Sequence, residues 1–171
     1  MDFGVAMRQL ESLERELGLL YLGFAESYAS EPSLAEMFGG LSNEENKHAD
    51  IVNYQLRLFR RNKGQFKDIE VDTTEISRLT EHVRELKNRQ ESLSWEEALE
   101  VAYEMENTAA EHYMMLAGSQ ANPDIRGLLK AMASSCNEHH SRLGQFFINT
   151  GLDVKRDVDF EIEDHDHEKA P

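Results

Sequence analysis

Acidic and histidine residues stand at regular intervals in the first half of this 171-residue chain. Glu14 is followed seven residues later by Tyr21 and eighteen residues later by Pro32. Glu45 and His48 lie thirteen and sixteen residues beyond that proline. Two residues spaced three apart on a helix direct their side chains toward one spot. Carboxylates and an imidazole gathered in this way suit iron, manganese or zinc.

The same intervals return in the second half, except that Pro123 comes one residue early. Glu106 is followed seven residues later by Tyr113, and Cys136 and His139 lie thirteen and sixteen residues beyond Pro123. These acids and histidines fall on helix faces that are otherwise apolar, where an unpaired carboxylate is costly to bury. A metal ion shared by several helices would offset that cost, so the repeated pattern predicts a metal site.

The spacing of apolar residues predicts four long helices and one shorter helix. The long helices run from about residue 3 to 30, from 32 to about 61, from 94 onward and from 122 to 150; a connecting helix covers about 75–90. Ser94 and Glu97 have the spacing of a capping box at the start of the third long helix. Short loops within each helix pair and a long crossover at about 62–93 predict an all-α, ferritin-like four-helix bundle of two antiparallel hairpins.

We expect residues 1–151 to form this bundle as a single domain. Residues 152–171 are an acidic tail that we expect to be mobile. His165 and His167 in this tail either bind metal loosely or belong to a solvated segment. Cys136 is the only cysteine, which excludes an internal disulfide and a four-cysteine, rubredoxin-type iron site.

Composition and charge limit the partners. The formal net charge of −15 argues against binding to a nucleic acid backbone. No apolar run reaches the roughly 18 residues that a membrane-spanning helix needs, so we expect no membrane association. The N-terminus, Met1-Asp2-Phe3-Gly4, lacks the basic and apolar regions of a signal peptide. We therefore expect a cytoplasmic protein.

The site residues resemble those of the rubrerythrin-like branch of the ferritin-like superfamily, and the resemblance extends from the first helix to about residue 151. In that family the first and third long helices each supply a Glu, and the second and fourth each supply Glu-x-x-His. The matching residues here are Glu14, Glu45, His48, Glu106 and His139. The resemblance implies two bound irons, with manganese or zinc as alternatives, that react with peroxide or oxygen. It also implies a homodimer and an external electron donor.

The same resemblance suggests a role for each residue. Glu14 and Glu106 would be terminal ligands and Glu45 a bridge, and His48 and His139 would each bind one metal. The family pattern has no cysteine in the fourth long helix, where Cys136 stands in place of a Glu. Either its thiolate replaces the acid, or the second metal is weakened, or the site has decayed; a plain buried Cys is the remaining alternative.

Two function classes stay open at this point. The first is a di-iron protein that reduces peroxide or oxidises ferrous iron, and the five retained ligands favour it. The second is a non-enzymatic metal-binding or dimerisation bundle with a degenerate site, which the missing acid favours. Tyr21 and Tyr113 either donate hydrogen bonds to the carboxylates or are simple core aromatics.

Overall fold

The computed structural model describes residues 3–61, 73–119 and 123–150. Over these ranges the chain forms five α-helices: α1 (Phe3–Ser27), α2 (Pro32–Arg61), α3 (Thr74–Arg89), α4 (Trp95–Ser119) and α5 (Pro123–Thr150). A single 3₁₀ turn, Gln90–Ser92, links α3 to α4. The described residues contain no strand, and the prediction of an all-α, ferritin-like bundle is confirmed. Most of the predicted loop, residues 62–72, and the tail with His165 and His167 lie outside the described residues.

The first hairpin turns sharply between α1 and α2. Helix α1 ends at Ser27 rather than near Ser30, because the chain must reverse before α2 begins at Pro32. The residue before a proline is disfavoured in the helical region, so Glu31 belongs to the turn. Its amide N–H donates to the carbonyl oxygen of Tyr28 at 2.9 Å.

Helices α1 and α2 approach closely at Gly18. The Ser42 hydroxyl donates to the carbonyl oxygen of Gly18 at 2.7 Å. A Cβ atom at position 18 would lie 3.2 Å from Nδ2 of Asn46, which is tighter than ordinary van der Waals contact. The glycine therefore lets the two backbones come together one helical turn from Glu14 and close to Glu45.

The second hairpin, α4 and α5, starts with the predicted capping box. The backbone N–H of Ser94 donates to Oε2 of Glu97 at 2.7 Å, and the backbone N–H of Glu97 donates to the Ser94 hydroxyl at 3.3 Å. These two bonds satisfy donors that a helix start otherwise leaves unpaired. The capping box is thus confirmed and helix α4 begins where its sequence indicates.

Helix α3 packs along α1 and closes one side of the bundle. Its apolar stripe is buried, as predicted, and consists of Ile76, Leu79, Val83 and Leu86. At the edge of this contact, Arg84 and Lys87 lie 3.0 and 2.6 Å from the carboxylate of Glu16.

None of the described helices is long and apolar enough to cross a membrane.

Each of the four long helices buries an apolar stripe that is interrupted at mid-length by a polar residue. The stripe of α2, for example, consists of Phe38, Leu41, Val52 and Leu56, and Glu45 and His48 lie between them, also buried. In the other three helices the buried interruptions include Glu14, Glu106 and His139. The four stripes face one another, so these polar side chains meet in the centre of the bundle.

Candidate metal centre

The first group of possible metal ligands combines α1 and α2. Glu14 and Glu45 are 0% and 1% exposed, and His48 is buried beside them. Nδ1 of His48 lies 3.1 Å from Oε2 of Glu45 and 3.3 Å from Oε2 of Glu14. The candidate ligand atoms of the three residues all lie within 4.8 Å of one another. Two carboxylates and one imidazole nitrogen therefore converge on one position.

The second group adds the other hairpin. Nδ1 of His139 lies 3.0 Å from Oε1 of Glu45 and 3.1 Å from Oε2 of Glu106. All three residues are buried, and their candidate ligand atoms again lie within 4.8 Å of one another. Glu45 belongs to both groups and presents Oε2 to His48 and Oε1 to His139. The structure thus brings together the five predicted residues in two overlapping sets of three.

The outer nitrogens of the two histidines have partners that the sequence did not suggest. The imidazole rings stack with centroids 5.6 Å apart and planes 18° from parallel. Nε2 of His48 lies 2.8 Å from the Ser135 hydroxyl, and Nε2 of His139 lies 2.7 Å from Oε2 of Glu44. Ser135 directly precedes Cys136, and Glu44 directly precedes Glu45. The two residues therefore occupy equivalent positions in the repeated pattern, which is the one signal in the sequence that could have identified them.

Two tyrosines connect each hairpin to a carboxylate of the other. The Tyr21 hydroxyl donates to Oε1 of Glu106 at 2.7 Å, and the Tyr113 hydroxyl donates to Oε1 of Glu14. Burial and the nearby carboxylates raise the pKa of both phenols well above the ordinary value. Both side chains therefore remain protonated donors at neutral pH.

The buried cluster retains protons at neutral pH. Burial and the charge of Glu45 raise the pKa of Glu14 from 4.5 to about 8. Burial by itself would lower the pKa values of His48 and His139, but the adjacent carboxylates outweigh it and raise both to about 10. Burial and the charge of Glu106 would raise the pKa of Glu45, yet the two histidines lower it. Protons thus occupy the place where a cation would bind.

Two carboxylate oxygens in the cluster test whether a metal fits. Oε2 of Glu14 and Oε1 of Glu45 are buried and accept no hydrogen bond, although each lies near a histidine nitrogen. Leaving such an acceptor wholly unsatisfied costs about 1–3 kcal/mol, and here the nearby histidine nitrogens offset part of that cost. One of the two oxygens lies in each group, where a bound cation would satisfy it, and the oxygen and nitrogen donors suit iron, manganese or zinc.

Cys136 lies in the core, 2% exposed, but does not belong to either of the two ligand groups. Burial, and then the charges of Glu106, Glu14 and Glu45, raise the pKa of its thiol far above the ordinary value. The same carboxylates would repel a thiolate. In the metal-free protein Cys136 is therefore a neutral thiol.

A groove of about 730 Å³ runs between α2 and α5 and reaches the two histidines. His48 and His139 contribute to its lining, as do Glu44, Ser135 and Arg142. Arg142 also pairs with the carboxylate of Glu44, and its Nη1 lies 3.3 Å from Oε1. The groove offers small molecules a path from solvent to the imidazole side of the cluster.

Comparison with known proteins identifies the family of this chain. The family model described as Rubrerythrin matches residues 11–146, a range that contains all five clustered residues and both tyrosines. No curated protein and no solved structure matches the chain. Because the family model covers most of the 171 residues, the chain belongs to the rubrerythrin family.

Proposed function

We propose that this protein binds two metal ions, which are iron in the native protein, and that it uses them to reduce peroxide or to oxidise ferrous iron. The observation that carries the proposal is the position of Glu45. One of its oxygens lies near His48 and the other near His139. A carboxylate that serves two histidines in this way is suited to hold two cations at once.

The chain's own residues would divide the work as follows. Glu14 and His48 would hold one ion, Glu106 and His139 would hold the other, and Glu45 would be available to both. The Tyr21 and Tyr113 hydroxyls orient the terminal carboxylates. These side chains come from four helices and are buried, so packing already restricts their positions in the metal-free protein.

Two ferrous ions would supply the two electrons that reduce one peroxide molecule to two water molecules. The two protons that this reduction also consumes can enter from solvent by the groove between α2 and α5. The groove admits molecules from one side, while the apolar residues above and below the cluster exclude water from the carboxylates. Because the carboxylates themselves are buried, a small oxidant could approach the ions more closely than a bulky substrate could.

A second candidate function is supported by Cys136. It occupies the position from which the family pattern supplies a further Glu, so one carboxylate fewer is available to the metal ions. A non-enzymatic metal-binding bundle, or a dimerisation module with a degenerate site, would tolerate that loss. We also propose that the protein is cytoplasmic, and, as the resemblance implies, that it is a homodimer supplied by an external electron donor.

The experiment begins with metal-free protein loaded anaerobically with ferrous iron. Iron content is measured after removal of unbound metal, and hydrogen peroxide is then added while the ferric absorption is recorded. We expect two irons per chain and oxidation of both by one equivalent of peroxide. Glu45→Gln has nearly the same volume and serves as the control that should bind neither iron tightly.

The outcomes separate the candidates. Two bound irons that are oxidised rapidly, with repeated turnover when a reductant is present, support the enzymatic proposal. Two bound irons that peroxide oxidises no faster than free ferrous iron favour the non-enzymatic bundle. A wild-type protein that retains no more iron than Glu45→Gln contradicts both metal-binding candidates and leaves the dimerisation module with a degenerate site. Sedimentation analysis of the same samples tests the homodimer.

A further inference from the structure

The polar residues of α2 and α5 are related by a constant interval in the sequence, but the two halves of the site are not chemically equivalent. His48 and His139 are 91 residues apart, and Glu44 and Ser135 are separated by the same 91 residues. Each of these latter residues meets the histidine of the opposite hairpin, Ser135 at His48 and Glu44 at His139. One histidine therefore has a neutral hydroxyl as its outer partner, and the other has a carboxylate.

The inner and outer nitrogens have different tasks if a metal binds. In both histidines Nδ1 faces the carboxylates of the cluster, so Nδ1 is the atom available as a ligand. A neutral imidazole that gives the lone pair of Nδ1 to a metal must carry its proton on Nε2. The outer partner of Nε2 therefore determines how well the ring is held in that tautomer and orientation.

A carboxylate performs this task better than a hydroxyl. A hydrogen bond to an ionised acceptor is roughly twice as strong as a neutral one, and a carboxylate partner also makes the ligating nitrogen more basic. Arg142 also pairs with both oxygens of Glu44, including Oε2, the oxygen that faces His139, and so fixes the carboxylate in place. Ser135 has no charge to offer, and its hydroxyl serves equally as donor or acceptor.

Resting on the proposed metal site, we propose that Glu44 is a positioning residue for His139 and makes the two metal positions unequal. The position formed by Glu45, Glu106 and His139 binds its ion more tightly than the position formed by Glu14, Glu45 and His48. The two positions have the same number and types of direct ligands, so the difference arises from the partners of the outer nitrogens.

The test is a titration of metal-free protein with Co²⁺, which reports binding through its visible absorption, in competition with a chelator. Two variants, His139→Ala and His48→Ala, assign the binding steps to the two positions. Glu44→Gln then removes the outer carboxylate, and Ser135→Ala removes the outer hydroxyl. Glu138→Gln is the matched control, because Glu138 is an exposed carboxylate in the same groove.

We expect wild-type protein to bind two Co²⁺ ions in two steps, with the tighter step lost in His139→Ala. Glu44→Gln should weaken that step by about 10- to 100-fold, the range found for partners of metal-bound histidines. Glu138→Gln should change the affinity of that step by less than about threefold, since salt screens an exposed charge. Ser135→Asp, which places a carboxylate beside His48, should strengthen the weaker step and narrow the difference.

A second readout reports the tautomer directly. In Zn²⁺-loaded protein the Nε2-bound proton of His139 should give a low-field proton NMR signal that Glu44→Gln shifts upfield and Glu138→Gln leaves in place. A merely structural role of Glu44 would change the melting temperature without moving this signal selectively.

The results that overturn the proposal differ from those that overturn the metal site. If two Co²⁺ ions bind and Glu44→Gln weakens the tighter step no more than Glu138→Gln does, Glu44 is not a positioning residue and the metal site stands. If the tighter step is the one lost in His48→Ala, the assigned order is wrong. If wild-type protein and Glu45→Gln bind Co²⁺ equally weakly, the metal site and the inference fail together.

Discussion

Tyr21 in α1 donates a hydrogen bond of 2.7 Å to the carboxylate of Glu106 in α4, so a residue of the first hairpin holds a candidate ligand of the second. Tyr113 and Glu14 make the reciprocal contact. These two hydrogen bonds cross the interface between the hairpins inside the apolar core. They hold the acids in place in the metal-free protein, before any cation offsets their charge.

The first prediction concerns this connection. Tyr21→Phe removes one buried hydroxyl and leaves Oε1 of Glu106 without its donor. Hydrogen bonds to charged groups contribute about 1.5–3 kcal/mol, so we expect a loss of that size in the free energy of unfolding of the metal-free protein. Urea unfolding followed by circular dichroism measures it.

The control for this variant is Tyr54→Phe, which removes the same atom from a side chain that is 54% exposed. It should change stability by no more than about 0.5 kcal/mol, as is usual for surface substitutions. Equal effects of the two variants would show that the Tyr21 hydroxyl contributes nothing specific to the core.

The second prediction separates the shared ligand from a terminal ligand. Glu45→Gln should abolish tight binding at both positions, because Glu45 belongs to both groups. Glu14→Gln should abolish it only at the position that contains His48. Metal content after dialysis should therefore fall from two ions to none in the first variant and to one in the second. Retention of one ion in Glu45→Gln would show that Glu45 does not serve both positions.

The third prediction concerns the carboxylate that Cys136 replaces. In Cys136→Glu a fourth acid enters a core where Glu14, Glu45 and Glu106 already oppose negative charge at this position. An uncompensated buried charge typically costs about 3–5 kcal/mol, so the metal-free variant should melt at a lower temperature than wild type. Metal binding should reverse the order, because the added acid becomes a further ligand.

Thermal melting with and without Co²⁺ measures both effects, and Cys136→Ala is the control that removes the thiol without adding charge. We expect Cys136→Ala to retain two ions. Loss of an ion in that control would identify the sulfur as a ligand, and a Cys136→Glu variant with no gain in metal affinity would argue against a family-like bridging position.

The fourth prediction is a fall in the stability of the metal-free protein as pH rises. The pKa values of Glu14, His48 and His139 are raised in the folded state, to about 8 for Glu14 and about 10 for the histidines. The folded protein therefore holds more protons than the unfolded chain between pH 4.5 and 8 for Glu14, and between pH 6.5 and 10 for the histidines. Stability declines with rising pH wherever the folded state binds more protons.

Urea unfolding between pH 6 and 9 in the presence of a chelator should show this decline, and Glu14→Gln should make it shallower. Glu45, whose pKa is lowered, also contributes to the free energy of unfolding. That contribution is lost only in acid, at pH values below the range of pH 6 to 9. Metal affinity should change in the opposite direction and rise with pH, because a bound cation displaces these protons. A metal-free protein whose stability rises from pH 6 to 9 would contradict the raised pKa values.

The sequence alone determined the features that depend on one helix. The capping box at Ser94 and Glu97, the start of α2 at Pro32 and the buried phase of Glu45 and His48 all follow from local spacing. An α-helix has a fixed 3.6-residue period, so residues three apart must share a face whatever surrounds them. The repeated intervals extended this reasoning to the second hairpin, including the position of Cys136.

Only the tertiary structure decided which side chains meet across helices. Each tyrosine reaches the opposite hairpin, and Glu44 rather than a hydroxyl faces His139, because of how the hairpins pack. The position of Glu45 between both histidines also depends on that packing, and only the family resemblance had implied it. Tyr21 and Glu106 are 85 positions apart in the sequence, and Tyr113 and Glu14 are 99 positions apart. Helix crossing angles and separations are set by side-chain packing over the whole interface, and no local interval in the chain encodes them.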